Sequence, residues 1–353
     1  MQAALPTIQY LLDHEASLVI CSHLGRPEGE PVAELSLRPV AIHLGNLLGK
    51  PIDFVSQTVG PEAEQAAQAL KPGEILLLEN TRFNSGEINN QTEFAYSLAG
   101  LGEAFVNDAF GSVHRSHAST EAVARLLPSA AGLLVEKEVQ YLETALLNPA
   151  RPFVAVLGGA KISDKIGVVG SLIDRSEALL IGGGMANTFL AAQGADMADS
   201  LVEPESFDVA FELIGKAGGK LHLPTDAIAG DAFSPDTETK VVDVRSVPDG
   251  WRMMDIGPQT LQAFKREIGG AGTVFWNGPM GVFEMAPFAA GTMELAKAIA
   301  QSDALSIVGG GDSAAAIRQA GLANEITHLS TGGGASLALL EGRQLPGLAV
   351  LEA

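Results

Sequence analysis

Two lysines four residues apart, Lys161 and Lys165, follow a Gly-Gly pair in the run VLGGAKISDK. The run lies where an apolar strand is expected to give way to a helix. Cations are disfavoured in the first turn of a helix, because its unpaired N–H groups carry partial positive charge. Lysines at i and i+4 also share a helix face and repel each other. The sequence therefore predicts a stabilising partner outside the helix, and an anionic ligand is such a partner.

A second group of cations follows the predicted strands of the first half of the chain, in the segments SHLGRP, ENTRF and NDAFGSVHRSHAS. Its members are His23, Arg26, Arg82, His114, Arg115 and His117. Ligands of open α/β sheets bind beyond the carboxyl ends of the strands, so these side chains are expected to converge. Any one of them could instead be a solvated loop residue. Arginine forks match phosphate and carboxylate oxygens, so the group as a whole predicts a small-anion site. We expect Glu79 and Asp108 to orient these cations or to cap helices.

Glycine-rich turns follow the predicted strands of the second half, in LGGAK, IGGGMANTF, WNGPMGVFE, VGGGDSAAA and STGGGAS. Glycine lets a nucleotide approach the backbone, and the N–H groups of the following helix can face its phosphates. One such turn is weak evidence, because tight strand-to-helix turns need glycine anyway. Five in succession indicate a nucleotide site.

The run GGGDSAAA leaves the kind of nucleotide open. It fits the loose dinucleotide pattern G-x-G-x-x-A through Gly309, Gly311 and Ala314, so an NAD site is one alternative. Asp312 would repel a pyrophosphate unless Mg²⁺ lay between them; the other interpretation of Asp312 is a helix N-cap. The Walker and H-R-D kinase patterns are absent from the sequence. The first half of the chain is thus predicted to bind a small anion and the second half a Mg-nucleotide. Together they predict phosphoryl transfer, which depends on positioning and charge stabilisation.

The elements that must position these residues are parallel βα units, indicated by short apolar runs that are each followed by a helical pattern. The predicted strands are SLVIC, IDFV, EILLL and EAFV in the first half and FVAVL, ALLI, TVFW, LSIV and THLS in the second. Runs this apolar predict strands covered on both faces. We therefore expect an α/β fold with doubly wound parallel sheets.

A connecting helix is predicted between the two sets of strands. Its apolar residues recur at helical spacing: Val135, Val139, Leu142 and Leu146. Pro149 and Pro152 end the pattern. The chain of 353 residues is long enough for roughly two domains, so we place the boundary near residue 135.

Composition excludes several classes of function. With 42 acidic against 22 basic residues the net charge is −20, which would repel nucleic acid. Cys21 is the only cysteine, so the chain cannot form an internal disulfide or a zinc cluster, and a cytoplasmic location is expected. The longest apolar run is too short and too rich in glycine to span a bilayer, so no membrane partner is expected.

Nine runs, in order along almost the whole chain, resemble the phosphoglycerate kinase family. They are SHLGRP, LLLENTRF, VNDAFGSVHRSHAST, LGGAKISDK, IGGGMANTFL, DIGP, VFWNGPMGVFE, SIVGGGDSAAA and STGGGASLALLEG. The resemblance implies reversible phosphoryl transfer from 1,3-bisphosphoglycerate to MgADP, giving 3-phosphoglycerate and MgATP. It also implies a monomer of two Rossmann-like domains, with hinge closure between them. Residues 1–134 and 337–353 would bind the triose, and residues 135–336 the nucleotide.

The resemblance also implies roles for individual residues. Those expected to bind the triose are His23, Leu24, Gly25, Arg26, Arg82, His114 and Arg115. Those expected to bind the nucleotide are Lys161, Lys165, Gly183, Gly257, Asn277, Gly278, Glu284, Gly310, Gly311, Asp312 and Ser313. Within that set, Gly183 and Gly257 would line the adenine side, Glu284 would lie near the ribose and Asp312 would face Mg²⁺. The catalytic residues would be Lys165, Lys161, Gly310 and Gly311, with Lys165 following the migrating phosphoryl group.

The sequence departs from the family at its start. Family members begin with a strand, a loop that carries an Asp-x-Asn triose-binding motif, and an arginine, all ahead of the segment that matches AALPTI. Met1 comes after all of these, so we expect a truncated chain. Loss of one preorganised charge contact typically costs ~10²-fold or more in rate. The alternative to the kinase is therefore a nucleotide-binding protein with little or no catalysis.

Overall fold

The structure is a computed structural model that describes residues 1–351, apart from the side chains of residues 145–147. The side chain of Leu146 and the last two residues of the predicted 337–353 tail therefore lie outside the described residues. The chain divides into two compact units. Unit 1 comprises Met1–Val139 and Gln344–Ala353, and unit 2 comprises Gln140–Arg343. The division comes five residues later than the boundary expected after residue 134, and the returning tail begins at Gln344 instead of residue 337.

The elements of the described residues alternate between strands and helices along most of the chain. The strands are β1 Leu18–Ile20, β2 Asp53–Phe54, β3 Ile75–Leu77, β4 Phe105–Asn107, β5 Ser129–Ala131, β6 Phe153–Leu157, β7 Ala178–Ile181, β8 Leu221–His222, β9 Asp226–Gly230, β10 Thr239–Asp243, β11 Arg252–Ile256, β12 Thr273–Asn277, β13 Leu305–Gly309 and β14 His328–Leu329. The helices are α1 Leu5–Asp13, α2 Arg38–Leu48, α3 Pro61–Ala69, α4 Ser85–Ile88, α5 Thr92–Ala99, α6 Leu133–Leu147, α7 Ile166–Arg175, α8 Gly183–Ala192, α9 Phe207–Ala217, α10 Pro258–Gly269, α11 Ala290–Ala300, α12 Gly311–Gln319, α13 Gly333–Leu340 and α14 Pro346–Ala349. All nine strands that the apolar runs predict are present.

Unit 1 contains two small parallel sheets, β1-β3-β2 and β4-β5. Strand β3 is central in the first sheet, and its residues are buried on both faces, as the apolar run EILLL predicts. Leu76 and Leu78 pack with Phe94 and Leu98 of α5 in the core of this unit. The sequences that follow β1, β3 and β4 carry the predicted cations.

Unit 2 is built on a six-stranded parallel sheet in the order β14-β13-β12-β6-β7-β8. Trp276 and Phe264 lie in its main core, buried to 0% and 1% exposure. Strands β6, β12 and β13 are direct neighbours, so the residues after their carboxyl ends lie together at one edge. The α/β fold with parallel sheets, expected from the sequence, is confirmed.

An antiparallel sheet of three strands, β10-β9-β11, was not predicted from the sequence. Strand β10, with the sequence TKVVD, is exposed at every residue except Val242, so it has no apolar run that would mark it as a strand. Its partner β9 is instead largely buried.

Helix α13 overlaps the segment 337–353, which was expected to belong to the first domain. The helix lies in unit 2 instead. There Ser171 of α7 donates a hydrogen bond to the Leu340 carbonyl at 2.6 Å.

Within residues 1–351, no helix combines the length and the apolar character needed to cross a bilayer.

Candidate functional site

Lys165 lies at the carboxyl ends of β6 and β12, with its ammonium surrounded by oxygen acceptors. Nζ donates to the Gly158 carbonyl at 2.7 Å, to the Asn277 carbonyl at 3.1 Å and to Asn277 Oδ1 at 2.9 Å. Burial lowers the pKa of Lys165 to about 8, although the charges of Asp312 and Asp164 act in the opposite direction. The cation is thus fixed in place and is easier to deprotonate than an ordinary lysine.

Helix α7 begins at Ile166, so Lys161 and Lys165 both precede it. The expectation that the two lysines occupy its first turn and share one helical face is wrong. The reason is Glu203, which accepts hydrogen bonds from Ile162 N at 2.6 Å and Ser163 N at 3.1 Å. These bonds hold the segment ahead of α7 in an irregular conformation, with Lys161 exposed at the surface.

Glu203 itself was not singled out from the sequence. Burial would raise its pKa, but the hydrogen bonds from Ser163 and Ile162 and the charge of Lys161 lower the pKa below the ordinary value. Its backbone partners lie about 40 residues earlier in the chain. No local pattern in the sequence could have revealed this contact.

The loop after β12 approaches the loop after β6 at Gly278. Its φ angle is +97°, and a Cβ there would overlap the carbonyl oxygen of Gly158, so only glycine fits. Gly278 N donates to Ser313 Oγ at 2.7 Å, which ties this loop to the start of α12. Asn277 Nδ2 is buried and has no hydrogen-bond partner among the residues that the structure describes. It lies against Gly310, where a Cβ would be 3.2 Å away.

The N-terminus of α12 is open at the end of β13. Gly310 is the N-cap residue, with φ +95°, and as a glycine it makes no side-chain cap hydrogen bond. A Cβ at Gly311 would meet nothing within 4 Å, so there is free space beside the first residue of the helix. Such groups favour an anion. Gly310 is the N-cap residue, so the interpretation of Asp312 as the N-cap of this helix is wrong.

Asp312 lies in the first turn of α12 and its side chain is exposed. Mg²⁺ is usually held by one or two carboxylates together with phosphate oxygens, and this single accessible carboxylate beside an anion-binding helix start fits that pattern. Within residues 1–351 there is no cluster of three or more His, Cys, Asp or Glu that could hold a metal ion by itself. The exposed Asp312 carboxylate therefore fits a Mg²⁺ ion that phosphate oxygens also bind.

A cavity of about 340 Å³ adjoins these loops within unit 2. Three of the predicted nucleotide residues line it: Gly183, Glu284 and Asp312. Its walls also include apolar residues that the sequence did not single out, among them Leu201, Phe233 and Val282. Gly257 is not among the lining residues; it is buried against the Asp226 carboxylate, which a Cβ there would overlap.

In unit 1, Arg82 is the most enclosed of the predicted cations, with 6% of its surface exposed. Nη1 donates to the Gly25 carbonyl at 2.7 Å, while Nε is buried without a hydrogen-bond partner among the described residues. Asn80 supports this arrangement, because its Oδ1 accepts from Arg82 N and its Nδ2 donates to the Leu24 carbonyl. The Gly25 carbonyl thus holds Arg82 directly, and the Leu24 carbonyl holds the Asn80 side chain that supports it.

The predicted cations of unit 1 influence one another, and we call the six of them the basic patch. They are His23, Arg26, Arg82, His114, Arg115 and His117. Burial, followed by the charges of Arg82 and Arg115, lowers the pKa of both His23 and His117 to about 4. Burial and then Arg115 and Arg26 also lower the pKa of Arg82. Arg115 Nε is 3.2 Å from His114 Nε2. Mutual repulsion of this kind favours the binding of an anion.

The carboxylates near the patch have different roles. Glu79 accepts from Leu37 N at 2.8 Å and caps α2, and Asp108 accepts from Leu134 N at 2.9 Å at the start of α6. Capping was one of the two roles that the sequence left open for them. Glu87, which the sequence did not single out, is fully buried beside the patch.

The chain is similar to phosphoglycerate kinases along nearly all of its length. The family model described as phosphoglycerate kinase matches residues 1–343. The phosphoglycerate kinase of Roseiflexus castenholzii is 58% identical over 356 residues, covering 99% of this chain and 90% of the relative. That of Moorella thermoacetica is 55% identical over 354 residues, with the same shares covered. Among solved structures, phosphoglycerate kinase from Coxiella burnetii matches with a TM-score of 0.86 at 43% identity, covering 99% of this chain and 89% of that one. The enzyme from Pyrococcus horikoshii matches with a TM-score of 0.90 at 34% identity, covering 99% and 90%.

Proposed function

Because the chain belongs to the phosphoglycerate kinase family of glycolysis, we propose that its basic patch binds the triose and that the loops after β6, β12 and β13 bind the nucleotide. The family reaction is reversible phosphoryl transfer between 1,3-bisphosphoglycerate and ADP. In our proposal the acceptor of the reverse reaction is the carboxylate of 3-phosphoglycerate. The NAD alternative suggested by the run GGGDSAAA is not favoured by this family.

The observation that carries the assignment in unit 2 is the convergence of Lys165, Asn277 and the start of α12, whose N-cap residue is a glycine, at the ends of adjacent parallel strands. Lys165 Nζ and Asn277 Nδ2 are donors, and the N–H groups at Gly311 add the partial positive charge of a helix N-terminus. Phosphoryl transfer spreads negative charge over the transferred group. Preorganised donors at that point lower the barrier.

Little else is required of the protein in this chemistry. When the acyl phosphate is cleaved, the carboxylate leaves as a stable anion, so no general acid has to protonate it. Lys165 stabilises charge and is not needed as a nucleophile. Mg²⁺, when bound with the nucleotide, would be held by Asp312 together with phosphate oxygens and would neutralise part of their charge. Glu284, on the cavity wall, is positioned to accept a hydrogen bond from a ribose hydroxyl.

In the basic patch, Arg26, Arg82 and Arg115 provide guanidinium groups, which bind carboxylate and phosphate oxygens in pairs. Arg82 Nε is a buried donor without a partner among residues 1–351, which is costly unless a ligand accepts from it. His23 and His117, whose pKa is lowered to about 4 by burial and then by the arginines, are neutral at pH 7 and offer further donors. This arrangement suits a small molecule with a carboxylate and a phosphate.

A steady-state assay with two variants tests the assignment. Arg82→Gln should raise KM for 3-phosphoglycerate and leave KM for ATP unchanged. Glu284→Ala should raise KM for ATP and leave KM for 3-phosphoglycerate unchanged. If each variant shifts the other substrate's KM, the two sites have been assigned the wrong way round. If the chain binds MgADP in calorimetry but forms no ATP from 1,3-bisphosphoglycerate, the alternative of a nucleotide-binding protein without catalysis is correct.

We also propose that the protein is a monomer. We further propose that it acts in the cytoplasm and binds no nucleic acid, which the lone cysteine, the net charge of −20 and the glycolytic family support. Light scattering on the purified protein tests the first point. A dimer at micromolar concentration would contradict it.

A further inference from the structure

Glu87 of α4 is a carboxylate with no exposed surface, directly beside the basic patch. It accepts hydrogen bonds from Ser119 N at 2.9 Å, Ser119 Oγ at 2.6 Å and Thr81 Oγ1 at 3.3 Å. Its Oε1 is also 3.8 Å from His117 Nδ1. Burial of a carboxylate is costly without such partners, so this one is fixed by several of them.

The partners of Glu87 belong to two different loops. Thr81 immediately precedes Arg82 in the loop after β3, and Ser119 follows Arg115 and His117 in the loop after β4. Strands β3 and β4 belong to separate sheets, so no ladder of backbone hydrogen bonds among the described residues fixes one loop relative to the other. Glu87 hydrogen-bonds to both loops. It is therefore a direct link between the segments that carry Arg82 and Arg115.

The charge of Glu87 also acts on the patch. Burial and then the charge of Arg115 lower the pKa of Arg82, and the charge of Glu87 opposes that lowering. The groups facing it are Arg82, His117 and the Cys21 thiol, whose pKa is raised to about 12 by burial and then by Glu87. Without an anion between them, two like-charged loops would be driven apart. A buried negative charge behind them opposes that repulsion before any ligand arrives.

We propose that Glu87 is a positioning residue of the triose site, which fixes the separation of Arg82 and Arg115 so that both can contact one small anion. This rests on the proposed function of the basic patch. Glu87 does not touch the substrate itself, since it has no accessible surface. Preorganisation by such a residue lowers the cost of binding, and misplacement of a binding group by about 1 Å can cost 10²-fold.

The test compares Glu87→Ala and Ser119→Ala with Ser97→Ala. Ser97 is an exposed serine in unit 1 that donates to the Glu93 carbonyl of its own helix, so its substitution is a matched control. Glu87→Ala should raise KM for 3-phosphoglycerate roughly 10- to 100-fold and leave KM for ATP unchanged. Ser119→Ala keeps the Glu87 carboxylate but removes the 2.6 Å hydrogen bond from Ser119 Oγ. It should raise KM for 3-phosphoglycerate less than Glu87→Ala does. Ser97→Ala should leave both values unchanged.

A purely structural role would lower the amount of folded enzyme without selectively changing KM for one substrate. If Glu87→Ala does not fold, Ser119→Ala carries the test, because Ser119 is only partly buried. Folded variants with the original KM for 3-phosphoglycerate would overturn the proposal. Arg82→Gln separates this result from failure of the proposed function. If Arg82→Gln raises that KM and the Glu87 and Ser119 variants do not, only the positioning role is wrong; if none of the three raises it, the patch is not the triose site.

Discussion

The ammonium of Lys165 and the side-chain oxygen of Asn277 are 2.9 Å apart and form a hydrogen bond. This bond, together with the two backbone carbonyls that Nζ also contacts, fixes a cation at the junction of the β6 and β12 loops. It also orients the Asn277 amide, so that Nδ2 faces Gly310 without a partner of its own among residues 1–351. The pair thus presents one charged and one neutral donor near the start of α12.

Lys165→Ala should lower kcat by about 10²- to 10³-fold, with KM for ATP nearly unchanged, because the cation acts mainly on charge that develops in the transition state. Lys220→Ala is the matched control. Lys220 is also a partly buried lysine that donates to a backbone carbonyl, that of Ile173, and its loss should leave kcat at the original value. Steady-state kinetics of both variants decide the point, and equal kcat values for them would contradict this role for Lys165.

The alkaline side of the pH profile should report the pKa of Lys165. Its pKa is lowered to about 8, so the charged form predominates below that pH and is lost above it. We expect kcat/KM for ATP to fall as the pH rises through about 8, since this quantity follows the groups of the free enzyme. Asn277→Asp places a carboxylate beside Nζ and should move the alkaline decline to higher pH. A profile that does not move in this variant would rule out Lys165 as the titrating group.

Gly311→Ala should weaken nucleotide binding without harming the fold. A methyl group at this position enters open space where a phosphate is expected, so KM for ATP should rise about tenfold, which corresponds to ~1.4 kcal/mol. The free energy of unfolding should stay the same or rise by about 0.4–1 kcal/mol, as for other strain-free glycine-to-alanine changes. Gly215→Ala in α9 also meets no atom within 4 Å and serves as the control. It should show the gain in stability and no change in KM.

Asp312→Asn should raise the Mg²⁺ concentration needed for half-maximal activity, because it removes the carboxylate proposed to face the metal. Asp164→Asn separates this effect from simple electrostatics, since the charges of Asp312 and Asp164 both raise the pKa of Lys165. A titration of activity with Mg²⁺ at fixed ATP is the measurement. Equal shifts in the two variants would show that Asp312 acts through Lys165 and not through the metal.

Asp255 should make the protein less stable as the pH rises from about 4 to 7. Burial raises its pKa from the ordinary 3.8 to about 7, although hydrogen bonds from Gly291 N and Ile256 N act against this. In that range the folded state binds a proton that the unfolded state has released, so the free energy of unfolding falls as pH increases. One pKa unit corresponds to about 1.4 kcal/mol, so the effect could reach ~4 kcal/mol.

Asp255→Asn cannot titrate and should flatten this dependence. Urea unfolding of both proteins at pH 5 and pH 8 measures it. The free energy of unfolding of the variant, relative to that of the wild type, should be higher at pH 8 than at pH 5. A constant difference at both pH values would show that Asp255 does not titrate between them.

The strands of the parallel sheets could be predicted because an apolar run such as FVAVL is a local signal for a strand buried on both faces. Strand β10 could not be found in this way, since only Val242 in it is buried. The start of α7 was also misjudged. The GGAKISDK run favours a helix soon after its glycines, but Glu203, about 40 residues later, pairs with the N–H groups of Ile162 and Ser163.

The sequence by itself determined the α/β class, the family and the residues proposed to bind a phosphorylated ligand, because apolar periodicity and short motifs are properties of neighbouring residues. Only the tertiary structure decided which residues of the chain face one another. Lys165 meets Asn277 across 112 positions of sequence, and Glu87 meets Ser119 across 32. Hydrogen bonds and burial depend on distances in space, and those distances are set by the packing of strands and loops that the local sequence does not specify.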